Sequence, residues 1–334
     1  MTKSNRLRRS ATIVCLLSSL SACAGVDIEQ AKQLASAGVT SSTRLQVEAK
    51  ATATYMASWR EGRVFLAALN EGDLNLKLNS DGSDISDLAK LLKKRADALA
   101  ALSNAYKAFQ ELAVYDAAGN TEEAVGSFFA ETNAFLKTAQ KLPKTSAAAS
   151  TISPLDPQVT EGISIGFGII AREVQRTKLS KASVAIRTGV AKLAEVLKTE
   201  SDYAISIRES VAFDRNELRR LARRRGLGSY EQPTKALLSE FDIDPVKDLD
   251  RAVLRSPQAT AAVDRILRDR FDAEMDTIGP AYEKLLELLD ALVEQHKQLE
   301  AGRRISLATI IALASELEGY YQRVHGAGSK SASN

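Results

Sequence analysis

The stretch from Phe271 to Leu299, FDAEMDTIGPAYEKLLELLDALVEQHKQL, decides the fold class. Phe271, Met275, Ile278, Tyr282, Leu285, Leu289, Leu292, His296 and Leu299 follow one another at alternating steps of four and three residues. That alternation is the seam of a helix packed lengthwise on other helices. Gly279-Pro280 falls inside the pattern. Because the stripe continues in phase beyond it, the pair predicts a kink rather than an end. Ser256-Pro257 opens the segment, with serine as the cap and proline in the first turn. His296 takes a core position, where a lone histidine reads as a packed, hydrogen-bonded residue rather than a ligand.

The same alternation recurs upstream. Ile85, Leu88, Leu92, Arg95, Leu99, Leu102, Tyr106, Phe109 and Ala113 form a second seam, predicting a helix over about 84–116. Arg95 is its one misfit, and reads as a register-setting residue or as a stem that packs while its head reaches water. Val125, Phe128, Thr132, Phe135, Ala139 and Leu142 predict a helix over about 121–142, after a break at Gly119-Asn120. Near the start, a small helix over 27–37 is expected to stop at Gly38. Ser41, Ser42 or Thr43 then caps a long helix to about Asn70. Leu74, Leu76 and Leu78 alternate like a strand without a partner, so an extended loop is expected there. Pro143 to Pro157 carries three prolines. It reads as a linker, either between two domains or as a crossover within one bundle. A long helix follows from about Gln158 to Leu197, continuing towards Arg225, and Gly226 and Gly228 end it. Gly302 marks a turn before a last helix, about 303–324, with Ile310, Leu313, Leu317, Tyr320 and Val324 on one face. Residues 326–334 are rich in Gly, Ser and Lys and read as a disordered tail.

Composition agrees. The 334 residues are rich in Ala, Leu, Glu, Lys and Arg and contain few aromatics, which is a helical composition. The fold class expected is therefore all-α: an elongated multi-helix bundle of coiled-coil-like antiparallel helices, spanning residues 27–325.

The amino terminus supplies an address. Lys3, Arg6, Arg8 and Arg9 precede an apolar run from Ala11 to Leu20, and Leu20-Ser21-Ala22-Cys23 closes it. A basic start, a short apolar stretch and small residues before a cut make a secretory signal. The run is about half the length a membrane span needs. Leu20 to Cys23 resembles the lipobox of bacterial lipoproteins, a resemblance confined to residues 1–23. It implies that residues 1–22 are a signal peptide and that Cys23 takes a diacylglyceryl group. It also implies that the new amino terminus is acylated, palmitate being one such chain, and that residues 23–26 form a short tether. Two or three acyl chains hold a protein firmly to a bilayer. By resemblance to lipoproteins of Gram-negative bacteria, in which Asp after the cysteine marks retention in the inner membrane, Ala24 implies the periplasmic face of an outer membrane.

With that signal removed, the four basic residues leave 41 of the 45, against 42 acidic residues. Such a balance argues against nucleic acid as a partner. Cys15 and Cys23 are the two cysteines of the sequence, so no thiol remains for a disulfide, a nucleophile or a metal. His296 and His325 are the two histidines; no zinc-binding spacing appears. Neither a phosphate loop nor a nucleophile elbow is present. The paired acids Glu122-Glu123, and Asp242 with Asp244, fit helix starts. No cofactor, no metal and no catalytic residue is expected.

Two stretches stand out as candidate contact sites. Residues 162–171, GISIGFGIIA, are apolar all round, with Gly162 and Gly166 at the spacing that lets helices approach closely. They read as a tightly packed helix or as an element that inserts into a membrane. Arg219, Arg220, Arg223, Arg224 and Arg225 form a basic cluster that reads as a solvated helix end, or as a contact for anionic head groups or an acidic partner. The function expected is a lipid-anchored envelope scaffold or accessory module that binds other envelope proteins. The alternatives are a membrane-active protein inserting 162–171 and, third, an enzyme with a site between helices.

Overall fold

The computed structural model describes residues 26–71, 83–114, 121–142, 145–161, 163, 172–224, 257–276 and 278–329. All regular structure among them is helical: α1 (Ile28–Glu71), α2 (Ser83–Val114), α3 (Thr121–Lys141), α4 (Ser146–Ala149), a 3-10 turn (Pro157–Thr160), α5 (Arg172–Arg224), α6 (Pro257–Asp276), α7 (Ile278–Glu300) and α8 (Ala308–Ser329). The chain is an all-α multi-helix protein. The loop expected at 74–78 and the glycines that were to end α5 lie outside the described residues.

Long-range contacts give the helix directions. Gly38 lies against Tyr106, Thr43 bonds Ser103 and Glu48 bonds Arg95, so α1 and α2 run antiparallel. Ser183 meets His296 and Glu200 meets Tyr282, so α5 and α7 are antiparallel as well. Gln30 reaches Ile305 and Arg44 reaches Glu318, so α1 and the α8 region run the same way. α1 rises about 66 Å over its 44 residues, and α5 about 80 Å over its 53.

Along most of their length the seams read from the sequence are the buried faces; Leu317 and Tyr320 of the last stripe are half-buried, and the side chains of Phe271, Met275, Ile278 and Val324 lie outside the description. Every residue of the 85–113 stripe is buried, as are the 125–142 stripe and the 282–299 stripe. One continuous apolar core contains residues from α1, α2, α3, α5, α7 and α8. Residues 145–157 of the proline-rich segment are pinned to this core. Asn133 of α3 donates to the carbonyl of Leu155 at 2.9 Å and accepts from its N–H at 2.8 Å, while Ala149, Ile152 and Leu155 are buried.

Five local expectations are corrected. α1 does not stop at Gly38; it runs unbroken from Ile28. Its cap is Asp27, whose Oδ1 accepts from the Gln30 N–H at 2.8 Å. Ser42 caps nothing, since its hydroxyl is satisfied by the Gly38 carbonyl one turn back at 2.6 Å. Residues 157–160 form a 3-10 turn and α5 starts at Arg172, not near Gln158. The 271–299 seam is carried by two helices, α6 ending at Asp276 and α7 starting at Ile278. Pro280 explains that end, because its ring conflicts with the carbonyl four residues back, at Asp276. The last helix starts at Ala308 rather than Arg303 and reaches Ser329, into the stretch expected to be disordered. The later start follows from how α7 ends. Gly302 has φ 64°, and the N–H groups of Arg303 and Gly302 bond the carbonyls of Gln298 and Leu299 at 2.8 and 3.0 Å. That Schellman end reverses the chain into an extended stretch.

Gly38 is a glycine for another reason than chain breaking. A Cβ there would lie 2.4 Å from the Tyr106 ring, which is itself pinned by its hydroxyl to His296. Gly38→Ala is expected to cost about 1–3 kcal/mol by overpacking. Gly126→Ala in α3, where nothing lies within 4 Å, is expected to stabilise by about 0.5–1 kcal/mol. Thermal melts of the two variants check the contrast.

Candidate functional site

Two polar clusters lie inside the bundle. The first centres on Arg95, the misfit of the second seam. Its stem does not carry the head to water: the side chain is 2% exposed. Nη1 donates to Glu200 Oε1 and Nη2 to Glu48 Oε2, both at 2.7 Å. The Tyr282 hydroxyl also donates to Glu200 Oε1, and the guanidinium lies 5.4 Å from the Tyr282 ring centre. Four helices thus meet at one charge. Burial opposes the charge on Arg95, but the two carboxylates outweigh it and the guanidinium stays protonated. Glu200 is fully buried, and burial pushes its carboxyl above the usual range despite the pull of Arg95. Arg95 Nε and Glu200 Oε2 are left without partners.

The second cluster centres on His296, which is 0% exposed and hydrogen-bonded, as its seam position predicts. Tyr106 Oη lies 3.1 Å from Nε2 and Ser183 Oγ 2.8 Å from Nδ1. Ser183 also donates to Glu300 Oε1 at 3.1 Å, and Arg187 Nε bonds both oxygens of Glu300. One proton assignment satisfies every contact: Tyr106 donates to Nε2, Nδ1–H donates to Ser183, and Ser183 donates to Glu300. The serine proton therefore points away from the imidazole, opposite to the direction nucleophile activation needs. Burial, with the nearby charge of Arg187, pushes the imidazole down to about 3. The ring is neutral and sealed. Among the described residues, no group of three His, Cys, Asp or Glu side chains could hold a metal ion.

The surface carries a groove of about 260 Å³ between α1 and α8, floored by Leu288 of α7. Leu45, Val47, Ala314 and Leu317 make it mainly apolar, and the Arg44–Glu318 ion pair at 3.2 Å joins its walls. Glu48 also lines it, so one carboxylate links the groove to buried Arg95.

Of the candidate residues named from sequence, Cys23, Gly162, Gly166 and Arg225 lie outside the described residues. Ile163, between the two glycines, is buried. Arg219, Arg220, Arg223 and Arg224 belong to the last turns of α5; their side chains lie outside the description. Ser183 of α5 is level with His296 and Tyr106, near the amino-terminal part of α1. From there the helix rises on the order of 50 Å along its axis to Arg219. Glu122 and Glu123 occupy the first turn of α3, where the helix dipole favours acids. Asp242 and Asp244 lie outside the described residues. No helix among the described residues is long and apolar enough to cross a membrane.

The described residues thus define an all-α bundle pinned by two polar clusters with buried centres at Arg95 and His296, with an apolar surface groove. Comparison with protein-family models, with curated proteins and with solved structures finds no match in any of the three.

Proposed function

We propose that this chain is a lipid-anchored cell-envelope protein, held through Cys23 at the periplasmic face of the outer membrane. There it acts as a structural or accessory docking module for another envelope protein rather than as a catalyst. The observation that carries the reading is the place where the fold begins. Val26 is already 2% exposed and Asp27 already caps α1, three residues after the lipobox cysteine. Three extended residues reach at most about 10 Å, so a lipid on Cys23 would hold the bundle against the bilayer. The inward use of the polar clusters and the outward groove between α1 and α8 support docking, since apolar grooves between helices accept a partner helix.

The test is mild crosslinking in native membranes followed by recovery of the chain, with Cys23→Ser as the comparison and labelled palmitate as a parallel readout. Palmitate should enter the wild type and not Cys23→Ser, and a specific envelope protein should be recovered with the wild type alone. Equal recovery with Cys23→Ser would remove the anchor from the function. Absence of a partner in both, with dye release from liposomes by the soluble form, would replace docking by membrane insertion of residues 162–171. Turnover of a small molecule seated between the helices would favour an enzyme instead.

A further inference from the structure

The geometry points to the α7–α8 turn, through Arg303 and Arg304, as a contact for anionic phospholipid head groups beside the anchor. This rests on the anchored reading above. The Schellman end at Gly302 turns the chain outward, and both arginines are exposed. Neither pairs with a carboxylate among the described residues. Their position is not left to a free loop. The N–H of Ile305 donates to Gln30 Oε1 at 2.8 Å, and the N–H of Ser306 to Gln295 Oε1 at 2.7 Å. Gln30 belongs to the first turn of α1, seven residues after Cys23. The turn is therefore tied to the part of the chain that a lipid on Cys23 would hold at the bilayer.

The acids nearby are mostly committed elsewhere. Asp27 caps α1, Glu300 is held by Arg187 and Ser183, and Glu294 pairs with Lys297 at 3.8 Å. Glu29 is the exposed carboxylate of the α1 first turn. Two forked guanidinium groups on a rigid turn suit phosphate oxygens, and the anchor supplies the high local concentration of lipid that two weak contacts need. The basic end of α5 lies far along the bundle from this point, whereas Arg303 and Arg304 stand beside the anchored end of α1, where the exposed Lys32 adds a further positive charge.

The chain from Cys23 to Asn334 has Cys23 as its single thiol and contains every described residue. Coupling that thiol to maleimide lipid in vesicles sets the anchor whether or not the cell acylates it. Modification of Arg303 and Arg304 by phenylglyoxal is then followed by mass spectrometry, with Arg44 as internal reference. On vesicles containing phosphatidylglycerol, labelling of both arginines should slow about fivefold relative to pure phosphatidylcholine, as a contact near 1 kcal/mol implies. High salt should abolish the difference, and Arg44 should not change. Equal labelling on the two vesicle types, or slowing that high salt leaves intact, overturns the head-group contact. Failure of acylation would show separately, as absence of palmitate from the wild type in cells.

Discussion

Arg95→Ala is expected to lower stability by about 3–5 kcal/mol, because it removes one partner of a buried ion pair and leaves the other buried alone. Glu200 is 0% exposed, so no water compensates it. Glu48 is 31% exposed at the edge of the groove and can be hydrated, so the cost falls mainly on Glu200. Denaturant titration should show an earlier midpoint for the variant. Arg95→Met with Glu200→Gln should recover part of the loss, since a packed apolar stem beside a neutral amide leaves no fully buried charge unpaired, and Glu48 is hydrated at the groove. A loss under about 1 kcal/mol for Arg95→Ala would mean that Glu200 does not depend on Arg95.

The second large effect is acid sensitivity centred on His296. Burial lowers its folded pKa from 6.5 to about 3. Between those values the unfolded chain binds a proton that the folded chain refuses. The stabilisation is complete above 6.5 and is lost as pH falls, at about 1.4 kcal/mol per pH unit. Glu200 acts with the opposite sign. Its carboxyl is raised, so its contribution is present below the unfolded value of 4.5 and lost as pH rises through its folded pKa. The difference between wild type and His296→Phe isolates the histidine. Denaturation at pH 7 and pH 5 should show a steep loss for wild type and a shallower one for the variant. Equal slopes would mean that the ring is solvated and titrates normally.

These two clusters show what was legible in the sequence. Arg95 and His296 were visible as misfits on otherwise apolar seams, and the seam position of His296 foretold its burial. Their partners were not visible. Glu48, Glu200 and Ser183 come from α1 and α5, at sequence separations that carry no periodic signal, while Tyr282 and Tyr106 showed only as seam residues. A lone carboxylate on an amphipathic helix looks like any solvated one until its neighbour is placed. The apolar groove was invisible for the same reason, since it belongs to the spacing of α1 and α8.

Helix class was legible because a 3.6-residue period in apolar positions records which face leaves water, and that preference is local. The seams over 85–113, 125–142 and 282–299 were sufficient for it. Local breakers were less decisive. Gly38 looked like a stop, yet α1 runs through it, because the Tyr106 ring occupies the space a Cβ would fill and the packing of two long helices outweighs a propensity near 1 kcal/mol. What the sequence determined by itself was the period, hence the all-α class and the faces that pack. The tertiary structure alone decided which helices face one another, which charges are sealed together, and which turn stands beside the first helix. Those depend on contacts between distant residues, and each is worth its full energy only when water has been excluded from both partners.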